Sequence, residues 1–187
     1  MSNAYRLNML KSQKRSYTEG TVLLEDGIWL FFESDINEET DLDFYVDQEI
    51  NVFKNGDWIS GVLFANGVVV TPFERFHLES GDSIQLKKNI LYSLEKLIDD
   101  LSDDAFVQFI STLNSLNYSI YDCIFCHNHL AFLDGETVKQ GVNFINFDNE
   151  EQVCSVQHHF TYYKKQRDRF EFTLSTGKRL IIENIHS

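Results

Sequence analysis

The chain has 187 residues, of which 43% are hydrophobic and 14% aromatic, a composition typical of a globular protein. Its formal charge of −13 would repel a phosphate backbone, which makes a nucleic-acid partner unlikely. No apolar run reaches the roughly 20 residues that a membrane helix needs, and the N-terminus lacks an apolar export segment. We therefore expect a cytoplasmic protein with no membrane partner.

Residues 1–88 form the first predicted region, which is rich in β-strands and barrel-like. Leu7, Leu10 and Lys14 recur at helical spacing and predict one short helix within residues 3–16. Short apolar runs follow, separated by Asp-Gly and Asn-Gly pairs, which favour hairpin turns because both positions tolerate a positive φ. The predicted strands are 21–24, 28–33, 49–53, 58–64, 68–71 and 83–87. This spacing predicts a bent antiparallel sheet or small barrel.

Residues 89–187 form the second predicted region, in which the apolar period first becomes helical. One stripe comprises Ile90, Leu91, Leu94, Leu97, Ile98 and Leu101, and a second comprises Phe106, Phe109, Ile110, Leu113 and Leu116. Ser102 between them is a predicted N-cap, so we expect a helical hairpin. Strand patterns over 142–147, 152–162, 169–174 and 179–185 then predict a four-stranded antiparallel sheet. The predicted fold class is α+β.

The stretch 121–130, YDCIFCHNHL, holds two of the three cysteines and two of the six histidines. If it is helical, Cys123, Cys126 and His127 lie at i, i+3 and i+4 and share one face. With Cys154 as a fourth ligand they form a candidate zinc site, since structural zinc takes four cysteine or histidine ligands. The favoured interpretation is that these cysteines are buried and pack as small hydrophobic residues, with no bound cofactor, and the zinc site is the alternative.

No catalytic constellation stands out elsewhere in the chain. There is no phosphate-binding glycine loop and no nucleophile-elbow motif. His158, His159 and Tyr162 could line a pocket, although strand alternation predicts that one histidine is buried and the other exposed. An odd number of cysteines without an export signal makes a disulfide framework unlikely. Enzymatic activity is therefore the less favoured hypothesis.

Five segments resemble a family of uncharacterised proteins from bacilli that is defined as a domain of unknown function. They are SQKRSYTEG (12–20), DDAFVQFI (103–110), YDCIFCHNHL (121–130), SVQHHF (155–160) and DRFEFTLSTGKR (168–179). The resemblance implies a small cytoplasmic bacterial protein and supplies no activity, substrate or catalytic residue.

Two functional hypotheses follow from the sequence. The first is a non-enzymatic interaction or regulatory module with a protein partner, which is favoured by an acidic, aromatic-rich chain without catalytic motifs. The alternative is a zinc-binding protein, structural or hydrolytic, that uses Cys123, Cys126, His127 and Cys154.

Overall fold

The computed structural model describes residues 3–34 and 39–186, without the side chains of 3 and 184–186. The chain divides into two compact units. The β unit spans Tyr17–Lys88, and the helix–sheet unit combines the chain up to Ser16 with Asn89 onward. Helices and two antiparallel sheets give the α+β class that the sequence predicts.

The prediction that grouped residues 1–16 with the β-rich region is wrong. Arg6 donates hydrogen bonds to the carbonyl oxygens of Ile98 and Leu101 and pairs with Asp103 at 2.9 Å. Arg15 forms an ion pair with the buried carboxylate of Asp122. These contacts fix the N-terminal segment to the helix–sheet unit, and spacing along the sequence cannot reveal them.

The β unit is one eight-stranded antiparallel sheet. Its strands are β1 Tyr17–Glu25, β2 Ile28–Glu33, β3 Glu39–Asp41, β4 Glu49–Lys54, β5 Asp57–Phe64, β6 Val68–Val70, β7 Arg75–His77 and β8 Ser83–Lys87. The strand order is β3-β2-β1-β8-β4-β5-β6-β7. The six predicted strands are confirmed, and the sequence missed the three-residue strands β3 and β7.

This sheet bends around a single apolar cluster. Residues from β1, β2, β4, β5, β6 and β8 meet in it, together with two loop residues; the members are Val22, Phe31, Leu42, Ile50, Val52, Leu63, Val69, Leu78, Ile84 and Leu86. Asp26-Gly27 and Asn55-Gly56 have positive φ at both positions, as the predicted hairpins require. The bent sheet is confirmed, with β3 and β7 as the two ends of the hydrogen-bonded order in the described chain.

The helix–sheet unit packs three helices with a five-stranded antiparallel sheet. The helices are α1 Asn3–Lys11, α2 Tyr92–Asp100 and α3 Asp103–Ser115. The strands are β9 Cys123–His127, β10 Lys139–Asp148, β11 Val153–Tyr162, β12 Gln166–Leu174 and β13 Arg179–His186, in the order β13-β12-β11-β10-β9. The four predicted C-terminal strands are confirmed, and β9 is a fifth strand that the sequence did not predict.

The apolar stripes of α2 and α3 are the core faces that the sequence predicts. Ser102 caps α3 by accepting a hydrogen bond from the backbone N–H of Ala105. Phe109 is fully buried and stacks on Phe170 of β12 with ring centroids 5.0 Å apart. Burying each such side chain contributes about 1.5–3 kcal/mol. Within the described ranges, no helix is long and apolar enough to cross a membrane.

Candidate functional site

β9 occupies the cysteine-rich stretch that the zinc interpretation required to be helical. Its pairing with β10 shifts register, so that Phe125 is opposite Asn146 but Cys123 is opposite Phe147. Ile124 is thus the extra residue of a β-bulge. The bulge allows Cys123 and Cys126, three residues apart, to pack against the same core. The assumed helix is wrong.

The four candidate zinc ligands are not brought together. Phe147 of β10 pairs with Cys123 on one side and with Cys154 of β11 on the other. Two strand spacings place these cysteines' Cα atoms ~9.6 Å apart, whereas zinc–sulfur bonds are ~2.3 Å long. His127 is exposed, and neighbouring strand residues face opposite sides. Among described residues, no group of three or more His, Cys, Asp or Glu could hold a metal. Zinc binding stays a prediction.

The two thiols of β9 are also poorly suited to nucleophilic chemistry. Burial raises the pKa of Cys123 to about 12 and the pKa of Cys126 to about 11. Both groups therefore stay protonated at neutral pH, whereas the thiolate is the reactive and metal-binding form. The Cys123 thiol donates a hydrogen bond to the carbonyl oxygen of Phe125 at 3.4 Å. This environment is typical of cysteines that pack rather than react.

An open cleft of about 240 Å³ lies beside β9. Three segments form it: α2, the end of β9 with the residue that follows, and the 3₁₀ turn Leu130–Leu133. We call it the aromatic cleft, and its lining residues are Tyr92, Ser93, Lys96, Cys126, His127, Asn128, Ala131 and Phe132. Tyr92 is 72% exposed and Phe132 is 75% exposed. Large apolar side chains are thus presented to solvent around a concave surface.

Asn128 holds the walls of the aromatic cleft together. It is only 5% exposed, and its amide donates to the carbonyl oxygen of Ser93 in α2 at 3.2 Å. Its side-chain oxygen accepts from the backbone N–H of Ala131, also at 3.2 Å. The next turn is tied to β10, because Asn143 accepts a hydrogen bond from the N–H of Leu130. The cleft is therefore preformed.

Three rings extend from the cleft along the same side of the unit. His127 lies between His129 and Phe132, with centroid distances of 6.4 Å and 6.0 Å and nearly parallel planes. His129 lies against Gly141 of β10, where an added Cβ would come within 2.4 Å of the imidazole ring. Gly141 is thus required for the close approach of the His129 ring to β10. Because the two imidazole planes are nearly parallel, their ring nitrogens do not point at one common centre as metal ligands would. This arrangement favours stacking of the rings against a ligand.

A chain of buried polar groups lies in the core of the helix–sheet unit and begins at the turn that forms one wall of the cleft. The N–H of Leu130 fixes the Asn143 oxygen as an acceptor, so the Asn143 amide donates to His158 Nδ1 at 3.0 Å. His158 then donates from Nε2 to Asp168 Oδ1 at 2.9 Å, and Tyr162 donates to the same oxygen. His158, Asp168 and Asn143 have no exposed surface. We call these four side chains the polar chain.

The hypothesis of a catalytic pocket at His158, His159 and Tyr162 is wrong. His158 and Tyr162 face the core, whereas His159 lies on the opposite face near Glu171. Burial lowers the pKa of His158 despite the opposing effect of Asp168, so its imidazole is neutral at neutral pH. Strand alternation predicts one buried and one exposed histidine, and the structure has His158 buried and His159 partly exposed on the other face. The polar chain has no exposed imidazole to offer a substrate.

The sequence did not identify the residues that form most of the cleft. Tyr92 and Lys96 are one helical turn apart on the exposed side of α2, whereas the apolar stripe directed attention to its buried side. Phe132 lies in the short apolar run Leu130–Leu133, which has no strand or helix period, just before Asp134-Gly135. The signal in the sequence that could have identified the cleft is Tyr92, an aromatic residue on the polar side of a helix.

Comparisons with known proteins agree with the resemblance to uncharacterised proteins from bacilli. The profile of a family described as "Protein of unknown function (DUF2777)" matches residues 4–184. The chain is 33% identical over 181 residues to the uncharacterized protein YisN of Bacillus subtilis (strain 168), a match that covers 95% of this chain and 90% of the relative. No solved structure matches the chain.

Proposed function

The chain belongs to the DUF2777 family of proteins of unknown function, and we propose that it is a protein-interaction module of the cytoplasm that binds an extended segment of a partner protein. The segment lies along β9 and places an apolar side chain in the aromatic cleft. The observation that carries this proposal is the position of β9. It ends the five-stranded order, so its outer edge pairs with no other strand in the described chain.

The sequence of β9 supports partner binding. Exposed edge strands usually carry Lys, Pro or inward-facing charges that prevent pairing with other chains. β9 reads CIFCH and contains none of these, and Ile124 and Phe125 are 61% and 50% exposed. Its five-residue length and its bulge restrict pairing to a short segment. In strand addition, main-chain hydrogen bonds provide affinity and neighbouring pockets provide specificity.

A random peptide library screened on the folded protein tests this proposal. Ala131 is exposed and lines the cleft, so Ala131→Trp fills the cleft without disturbing the core. Enriched peptides should bind Ala131→Trp at least about tenfold more weakly than wild type, which corresponds to ~1.4 kcal/mol. Calorimetric titration measures the affinities, and NMR shifts locate the site.

Ile181→Trp is the matched control, because Ile181 is 54% exposed on β13, the opposite edge of the same sheet. Peptide affinity should be unchanged in this variant. Peptides that bind Ala131→Trp as tightly as wild type, or a library that yields no binder, would contradict the proposal.

A further inference from the structure

The aromatic cleft differs in charge from the rest of this acidic chain. The chain has 29 Asp and Glu against 16 Lys and Arg. Among the described residues, no carboxylate lines the cleft, and Lys96 supplies a cation there. Ser93, Asn128 and the Tyr92 hydroxyl are polar groups of the lining that can donate hydrogen bonds. The cleft therefore suits a ligand that has an apolar part and accepts hydrogen bonds from a cation.

Lys96 is available to such a ligand. Its ammonium lies 5.6 Å from the centroid of the Tyr92 ring, and it forms no ion pair with any described carboxylate. Asp100 follows one turn later on α2 but lines a different cavity, together with Lys139 and Tyr162. Asp100 attracts the Lys96 ammonium along α2, but no carboxylate of the described chain lies within ion-pair distance of it.

The acidic character of the chain is concentrated in the sequence of the β unit. Residues 17–88 hold 4 Lys and Arg against 15 Asp and Glu, a formal charge of −11. Residues 1–16 and 89–187 together hold 12 against 14, a charge of −2. The unit that contains the cleft is therefore close to neutral, and the charge of Lys96 is not opposed by a strongly acidic background within its own unit.

The spacing within α2 matches the spacing within an extended peptide. Tyr92 and Lys96 are four residues apart, which is ~6 Å along the helix axis. In a β-strand, alternate residues face the same side and are ~6.7 Å apart. A peptide that runs alongside α2 with an apolar side chain over Tyr92 and Phe132 therefore brings the side chain two residues away to Lys96.

We propose that the partner segment carries an apolar residue and, two residues away, an Asp or Glu whose carboxylate pairs with Lys96. This proposal rests on the proposed function and specifies its partner. A Lys or Arg at that position would face the Lys96 ammonium, so the same group that attracts the acidic segment disfavours a basic one.

Four peptides derived from one cleft-binding sequence test this inference. They differ only near the apolar residue that binds the cleft, which we call the anchor. The first, second and third peptides carry Glu, Gln and Lys, respectively, two residues from the anchor. The fourth carries Glu directly next to the anchor. Wild type should bind the first about two- to fivefold more tightly than the second, the range of an exposed ion pair. The third and fourth should bind no better than the second. The advantage should disappear at 1 M salt, where the Debye length is ~3 Å.

Lys96→Glu should reverse the preference, so that the peptide with Lys two residues from the anchor becomes the tightest ligand. The matched control is Lys164→Glu, because Lys164 also lies over a tyrosine ring, at 5.8 Å from Tyr163, but not at the cleft. The control should keep the wild-type order. A thermal melt of Lys96→Glu verifies folding, which should persist because Lys96 is exposed.

The two proposals fail in different ways. Peptides that are excluded by Ala131→Trp but show no Glu preference, or keep the same order in Lys96→Glu, would overturn the acidic-segment inference and leave the proposed function standing. Peptides that bind Ala131→Trp unchanged would overturn both.

Discussion

The cores of the two units are built from different chemistry. All ten members of the buried cluster of the β unit are apolar. The core of the helix–sheet unit also contains the polar chain, in which Asn143, His158 and Asp168 are fully buried. The first core is stabilised by non-directional burial, whereas the second also requires specific donor–acceptor pairs. The second core should therefore tolerate fewer substitutions.

The directionality of the polar chain is set from both ends. The Leu130 N–H fixes the orientation of the Asn143 amide, which donates to His158 Nδ1, and the carboxylate of Asp168 can only accept and so requires the donor at Nε2. Leu130 begins the turn that forms one wall of the aromatic cleft. The buried hydrogen bonds thus also position one wall of the cleft. Substitutions in each of the two cores distinguish them experimentally.

His158→Ala should cause the largest loss of stability, about 3–5 kcal/mol, because it leaves the buried carboxylate of Asp168 with only the Tyr162 hydroxyl as donor. Urea unfolding followed by helical circular dichroism measures this loss, since the described α-helices all lie in the helix–sheet unit. His159→Ala is the control, and as a surface change it should cost about 0.5 kcal/mol. Equal losses in the two variants would refute a special role for the buried imidazole.

Leu63→Ala should destabilise the β unit by about 2–5 kcal/mol, since Leu63 is 1% exposed and its truncation leaves a cavity. Trp29 and Trp58, the two tryptophans of the chain, both lie in this unit, so tryptophan fluorescence monitors its unfolding. The loss should be the same at pH 5 and pH 8, because the ten-member cluster contains no titratable side chain. A loss that varied with pH would show that the two cores do not differ as described.

Asn143→Leu should cost about 1–3 kcal/mol in the circular dichroism transition, because it leaves the buried Leu130 N–H and His158 Nδ1 without partners. The His158 tautomer should stay the same, because the carboxylate of Asp168 can only accept and keeps the proton on Nε2, and ¹⁵N chemical shifts of the imidazole report this. Asn146→Leu is a comparable change at a partly exposed position of the same strand and should leave both readings unchanged. A loss in Asn143→Leu no larger than that in Asn146→Leu, or a proton that moves to Nδ1, would contradict the directional assignment.

Local patterns predicted the parts of the fold that depend on neighbouring residues. Asp26-Gly27 and Asn55-Gly56 located two hairpins because their φ requirements are intrinsic to those residues. Ser102 located the start of α3 for a similar reason, since a cap acts within one turn. The attachment of α1 could not be predicted, because it depends on Arg6 and Asp103, which are 97 residues apart.

β9 was missed for a specific physical reason. A regular strand places residues three apart on opposite faces, whereas a helix places them on the same face. The bulge at Ile124 adds one residue, so Cys123 and Cys126 face the same side within a strand. A bulged strand therefore imitates the helical period over a short stretch. The cleft was missed too, because its walls come from α2 and from a turn some forty residues later.

The smallest effect should be a dependence on pH that His158 contributes to the stability of the helix–sheet unit. Burial lowers the pKa of His158 from its ordinary 6.5. Below about pH 6.5 the unfolded chain therefore binds a proton at His158 that the folded chain does not bind, so the free energy of unfolding falls as pH falls. The His158 contribution to this slope is at most about 1.4 kcal/mol per pH unit. Comparing wild type with His158→Ala between pH 5 and 7 cancels the other titrating groups. An equal slope in both proteins would mean that His158 binds its proton equally well in the folded and unfolded chains, which contradicts the lowered pKa. A His158 contribution of the opposite sign would mean that the imidazole is protonated inside the core, and the polar chain would then contain an ion pair rather than a neutral donor.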